Sequence, residues 1–265
     1  MAATALERGY LILAPEDHVV LGESDFGMAG LVAIESIGPF GRVQASGPLI
    51  TVHDSVVEAG LGIGHHPHRF NERLFFIERG ELDHDDALNG ITGHMDEGDV
   101  GQFTEGRRGM VHSEWNHGDV DTHAFILVYT TDPIPEQTAF GVLRDADAPR
   151  FEEPGGALTK ELVGPRSRLQ VNGDIRLFAE SHLKPGDRLQ VDLARGEGGL
   201  VSVREGQVAV DGTPLSVGTT VILPPGAPPR TVRLDAPEGS RIVRVVHGPG
   251  EGFVTGEPMP RRGDG

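Results

Sequence analysis

The stretch "FIERGELDHDDALNG", residues 76–90, returns in altered form as "VSVREGQVAVDGTPL", residues 201–215, and "MDEGDVGQF", residues 95–103, returns as "LSVGTTVIL", residues 215–223. Aligning them pairs Gly80 with Gly206 and Gly98 with Gly218. A unit that recurs in this way must bury its apolar face twice, so the sequence predicts two copies of one compact unit arranged head to tail. Within each copy, short β-rich runs such as Leu74 to Ile77 and Ala124 to Thr130 alternate with Gly, Asp and Asn turn residues. No long amphipathic helical run interrupts them, and 38 glycines and 19 prolines supply the turns. The expected fold is all-β, as two tandem β-barrels. Pro, Asp and Glu crowd residues 131–160, which places a first domain at 1–135, a linker at 136–160 and a second domain at 161–265.

Composition narrows the function. A formal charge of −17, with Lys160 and Lys184 the only lysines, argues against surfaces that hold nucleic acid phosphates or anionic lipid. No apolar run approaches the roughly 18 residues of a membrane span, and the charged start "MAATALERGYLILAPEDH" does not resemble a signal peptide, so a cytoplasmic protein acting on a small molecule is expected. With no cysteine, any metal must be held by nitrogen and oxygen.

Two histidine clusters suggest such a metal. In a strand, residues i and i+2 share a face, so His66 and His68 of "GIGHHPHRFNE" would converge, as would His112 and Glu114 of "GMVHSEWN". Three imidazoles and one carboxylate leave open positions for water, substrate or dioxygen, and suit iron(II), with manganese, nickel, copper or zinc as other options. The repeat serves as an internal control. Counting back from Gly206 puts Asp192 and Ala194 where the first copy has His66 and His68, and "PPRTVRL", residues 228–234, contains neither His nor Glu. The second barrel is therefore expected to lack the ligands.

The segments "GLGIGHHPHRFNE", "ERGELDHDDALNG", "EGDV" and "GMVHSE" resemble the signature of the cupin superfamily, and in particular of the pirin family of two-cupin proteins, over roughly residues 45–250. The resemblance implies two cupin barrels, with iron in the first held by His66, His68, His112 and Glu114. It also implies a dioxygenase that opens quercetin-like flavonols, or, alternatively, a metal-dependent regulatory protein without turnover. A merely structural metal is a third reading. Many cupins use a glutamate four positions after the second histidine, which here is Glu72; the pirin pattern favours Glu114, which would also serve as the carboxylate that accepts the substrate proton. "RFN" after the histidine pair and one extra residue in "GRRGMVHSE" depart from the pirin pattern beside the site.

Other polar residues have plainer expectations. His65, out of phase with the pair, should bond at the surface, and His84 should be a solvated hairpin residue or, as the alternative, a donor that reaches the pocket behind the ligands. Trp115 should point away from the metal, and His117, His123, His182 and His247 should be ordinary polar residues. Arg107 and Arg108 read as an exposed pair balancing nearby acids. The chain is expected to be a monomer or a homodimer.

Overall fold

Strands of three to thirteen residues follow one another through the computed structural model, which describes residues 9–226 and 228–261. Helical structure among these residues is one four-residue turn, Glu23–Phe26, and two short 3-10 turns, and no helix is long and apolar enough to cross a membrane. The all-β, tandem-barrel architecture expected from the sequence is the one observed.

The first barrel has a large wall and a small one. Seven strands of its nine-stranded sheet run in the order Ala139–Leu143, Val100–Thr104, Asn71–Arg79, Thr122–Thr130, Leu49–Val57, Leu31–Ile37, Val19–Leu21, and Val43–Ser46, paired with Leu49–Val57, carries Phe253–Thr255 off this path. Facing it is a four-stranded sheet, Gly62–His68, Met110–Trp115, Leu82–Asp86, Ile91–Met95. Phe75, Ile77, Val57 and Leu31 from the large sheet pack with Leu82, Met95 and Met110 from the small one. In the second half, strands Arg188–Leu193 and Arg230–Asp235 pair with each other as the counterparts of Gly62–His68 and Met110–Trp115.

The repeat is visible in the backbone bonding. Gly98 N–H donates to the Ile77 carbonyl and Ile77 N–H to Asp99; in the second copy Gly218 donates to Val203 and Val203 to Thr219. Gly80 and Gly206 have φ of 77° and 68°, and a Cβ on either would strike the facing backbone, at Asp121–Thr122 and at Gly239–Ser240. Glycine is needed at both places for the same reason.

One detail of the repeat differs from the expectation. Asp192 is exposed and accepts a bond from Thr231, while Leu189, Val191 and Leu193 carry the inward face of that strand. The barrel register is set by which face is apolar, not by equal counting from Gly206. Val191 pairs with Val232 as His66 pairs with His112, so the second barrel is closed by hydrocarbon where the first carries imidazole.

The two halves share a core in which Phe76, Phe125, Leu127 and Tyr129 meet Leu162, Phe178, Leu200 and Val243. The chain ends cross over: Leu11–Leu13 pairs with Thr220–Leu223 of the second half, and Phe253–Thr255 with Val43–Ser46 of the first. Residues 136–160 join the halves and are also built into them. Ala139–Leu143 extends the first sheet, while Arg150–Glu152 and Leu158–Val163 extend the second, because exposed sheet edges on both sides offer unpaired backbone groups.

His247 ties these halves as a buried neutral ring: Nδ1–H donates to the Gly248 carbonyl at 2.7 Å and Nε2 accepts from Ser46 Oγ at 3.2 Å. Burial, opposed in part by the Gly248 carbonyl and the charge of Asp174, brings its pKa down to about 4. Between that value and 6.5 the unfolded chain binds a proton that the folded chain refuses, so stability is full above the window and falls as pH drops through it. The cost is about 3 kcal/mol by pH 4. Urea denaturation of the metal-free protein at pH 7 and pH 4.5 is expected to show this loss in the wild type and a smaller one in His247→Gln.

Candidate metal centre

The histidine pair owes its geometry to two glycines. A Cβ on Gly62 would collide with the Glu114 carbonyl and with Trp115, so glycine lets strand Gly62–His68 lie close against Met110–Trp115. Gly64 sits where the pairing shifts register between His112 and Glu114, and it takes a bond on its carbonyl from His66 Nδ1 at 2.8 Å. Beyond this bulge His66 stands directly opposite His112. Alternation then turns His68 to the same side and leaves His65 outside, where it meets Asp85 at 3.1 Å, as expected. The rings of His66, His68 and His112 lie with centroids 4.6 to 5.0 Å apart.

Ligand-type atoms of His66, His68 and His112 lie within 4.8 Å of one another, and so do those of His84, His112 and Glu114. The four residues singled out in the sequence thus fall in two triads that share His112, and the second of these includes His84. His84 overturns its expectation as a solvated residue. It is 2% exposed, stands opposite Glu114 in the adjacent strand, and stacks on Phe140 with centroids 4.6 Å apart. The covering ring comes from the segment read as linker, which the local sequence around His84 does not announce.

Buried polar atoms are ordinarily paired, yet both ring nitrogens of His84 and of His112 and one carboxylate oxygen of Glu114 have no hydrogen-bond partner. His112 Nδ1 approaches Glu114 Oε1 to 2.5 Å, and His84 Nδ1 approaches it to 3.5 Å. These approaches lack hydrogen-bond geometry. Converging, unpaired nitrogen and oxygen donors of this kind are what a divalent metal satisfies, so the residues present fit a metal.

The charge states suit the same use. Burial, aided by the charge on Arg73, drives the pKa of His68 down to about 2, and burial also lowers that of His66. Both rings are neutral near pH 7, as metal ligands must be. Burial would raise the pKa of Glu114, but His112 and His84 beside it outweigh that and hold it at about 2. Glu114 is therefore ionised near pH 7.

These side chains open into a cavity of about 410 Å³ between the two sheets, walled mainly by apolar groups such as Phe26, Leu31, Ile63, Phe75 and Ile126. Thr51, Ser55 and Asn71 on the large sheet also line it, as do three charged or imidazole side chains, Glu35, His53 and Arg73. No motif marks them; the only sequence signal is a charged or imidazole residue at an inward position of an otherwise apolar strand, as in "LVAIESI" and "LITVHDSVV". Arg73 donates through Nε to buried Glu105 at 2.7 Å and through a terminal nitrogen to His68 Nδ1 at 2.6 Å.

Glu72, the other carboxylate raised by the sequence, lies elsewhere. Its oxygens accept from Tyr129 Oη at 2.6 Å, Thr104 Oγ1 at 2.8 Å and the Asn172 backbone at 2.9 Å, with the Asn172 amide also in contact. This clamp joins the two halves and leaves no lone pair for a metal. Trp115 stacks on His117 at the outer surface. Arg107 pairs with Glu136 and Arg108 reaches the Leu88 carbonyl, both exposed. A further His/acid group, Glu81, His94 and Asp96, is exposed or half-buried, and its His94 is already bonded to Asp83 and Asp96.

A family model for Pirin matches residues 27–128. A Zymomonas mobilis protein named provisionally as a quercetin 2,3-dioxygenase is 28% identical over 198 residues, covering 74% of this chain and 80% of its own. The quercetin 2,3-dioxygenase of Escherichia coli (strain K12) is 28% identical over 174 residues, covering 63% of this chain and 70% of its own. Among solved structures, the bacterial pirin YhhW of Escherichia coli in complex with nickel(II) superposes with a TM-score of 0.74 at 18% identity, covering 91% of this chain and 99% of that one.

The Glu72 clamp generates a test. Glu72→Ala strands the Tyr129 hydroxyl and the Asn172 amide, and is expected to cost on the order of 3 kcal/mol in urea denaturation. Divalent metal bound per chain, measured by elemental analysis, is expected to stay unchanged.

Proposed function

Because the chain is a pirin-type cupin, with the family match lying in its first barrel, we propose that His66, His68, His112 and Glu114 hold a divalent metal at which a flavonol-type substrate is opened with dioxygen. The observation that carries this reading is the unpaired, buried ring nitrogens of His112 and carboxylate oxygen of Glu114, which together with His66 and His68 line a largely apolar cavity of about 410 Å³. The dioxygenase name of the E. coli relative supports the reaction class. Iron(II) leads on donor chemistry, and the nickel(II) of the E. coli pirin keeps that ion beside it. When bound, the metal supplies Lewis acidity that favours ionisation of a coordinated hydroxyl, and open positions for substrate and dioxygen.

The residues of this chain do the rest. Glu114 gives the ligand set its negative charge, and His66, pinned through Nδ1 to Gly64, presents Nε2 as its lone-pair nitrogen. His84 stands opposite Glu114 in the adjacent strand, its Nδ1 3.5 Å from Glu114 Oε1. The apolar walls exclude water and accept a flat aromatic ring, as such cavities do. Arg73 must release His68 when the metal enters, whichever ring nitrogen the ion takes: Nδ1 would be displaced from the guanidinium, and Nε2 would require a proton on Nδ1 where Arg73 now donates. Its bond to Glu105 keeps the released guanidinium at the cavity wall.

A metal-dependent regulatory protein would be better served by a closed ligand shell beneath an exposed patch; here the donors face an internal cavity. The test is oxygen consumption by anaerobically purified, iron(II)-loaded or nickel(II)-loaded protein on addition of quercetin. Metal-dependent uptake, lost to background in the double variant His66→Ala, His68→Ala, is expected. No uptake from protein holding one metal per chain would contradict the enzymatic reading.

A further inference from the structure

Building on the enzymatic reading of the first barrel, we propose that His53, held by Glu35, is the catalytic base that takes the hydroxyl proton of a phenolic or enolic substrate in the cavity, from the sheet facing the metal ligands. His53 and Glu35 are register partners on neighbouring strands, and the same cross-strand row continues through Ile126 to Phe75. Glu35 is 2% exposed. One of its oxygens accepts the Phe40 backbone N–H at 2.8 Å, and the other lies 3.1 Å from His53 Nε2.

The glycines of "GPFG" are part of this arrangement. A Cβ on Gly38, whose φ is +155°, would fall 2.1 Å from the Glu35 carboxylate. The turn is therefore shaped around that carboxylate. A buried carboxylate needs a donor, so the Nε2 proton of His53 points at Glu35 and the lone pair of a neutral ring lies on Nδ1. Among the described residues nothing hydrogen-bonds to Nδ1, and the side chain lines the cavity. A carboxylate behind one imidazole nitrogen with the other nitrogen facing a substrate space is the arrangement that orients a general base and stabilises its imidazolium.

Glu114, which the sequence suggested for this task, is enclosed by His112 and His84 and committed as a ligand. The proton step balances without any further reagent. The substrate O–H bond breaks and its electron pair stays on oxygen, an N–H bond forms at His53 Nδ1, and the imidazolium charge is met by Glu35. The other charged or titratable groups on the cavity wall are Arg73 on the same sheet and His66, His68, His112 and Glu114 across from it.

The test uses full-length, metal-free protein and quercetin under anaerobic conditions, where no oxygenation occurs. Ionisation of the bound flavonol is followed by its red-shifted absorbance as pH is varied. Wild type is expected to ionise the bound flavonol at a pH about one unit lower than His53→Gln, a tenfold shift in the equilibrium, with Glu35→Gln shifted in the same direction by less. Thermal midpoints and metal uptake equal to wild type identify folded variants. In the metal-loaded enzyme His53→Gln is expected to slow turnover by about 10²-fold or more at unchanged metal content. Identical ionisation curves for wild type and both variants, or failure of wild type to bind quercetin, would overturn the proposal. Absence of oxygen uptake alone, with the metal-free shift intact, would count against the dioxygenase reading and leave the base assignment standing.

Discussion

Both ring nitrogens of His84 and His112 and an oxygen of Glu114 lie buried in the first barrel without hydrogen-bond partners. Each such group costs on the order of 1–3 kcal/mol when left unpaired, so the barrel tolerates these atoms only because something else compensates. Much of the local architecture serves this constraint. Gly62 lets two strands approach, the bulge between His112 and Glu114 turns their pairing, and Phe140, carried in from beyond the first barrel's main strands, covers His84. A metal held by one nitrogen of His112 and by Glu114, together with His66 and His68, would relieve part of this cost, and the neutral His66 and His68 rings and the ionised Glu114 are already in the states such a metal needs.

The duplicated barrel shows what the fold requires when no such burden is present. Val191 and Val232 pair where His66 and His112 do, and Leu189, Leu193 and Leu234 complete an apolar interior. The two copies retain the same glycine turns and the same backbone bonds around them. What joins them is partly hydrocarbon and partly charge: Arg204 reaches Asp54 and Glu78 of the first half, and Arg241 shares Glu78. The second barrel thus acts as a scaffold that seals one face of the sheet whose other face carries His53 and Arg73.

The fold, and the convergence of His66 with His68 and His112, were legible in the sequence because they follow from local rules. Period-two alternation puts His66 with His68 and His112 with Glu114, and the glycine repeat gives two barrels. What was not legible depends on distant strands. His84 is buried by Phe140, 56 positions later, and Glu72 is claimed by Asn172, 100 positions away. Neither partner can be inferred from spacing. Asp192 illustrates a second limit, since counting equal distances ignores a shift of one residue that exchanges the inside and outside of a strand. The His53–Glu35 pair illustrates a third: two polar residues in separate apolar strands become meaningful only through cross-strand register.

The central claim is that the first barrel alone holds one metal through imidazole-rich coordination. X-ray absorption at the metal K-edge of protein loaded to saturation and freed of loosely bound ion tests it most directly. The account predicts one metal per chain with three histidine nitrogens and a carboxylate oxygen in its inner shell, the nitrogens at about 2.0–2.1 Å. An oxygen-dominated shell with one histidine at most, as the half-buried Glu81, His94 and Asp96 group would give, would contradict it.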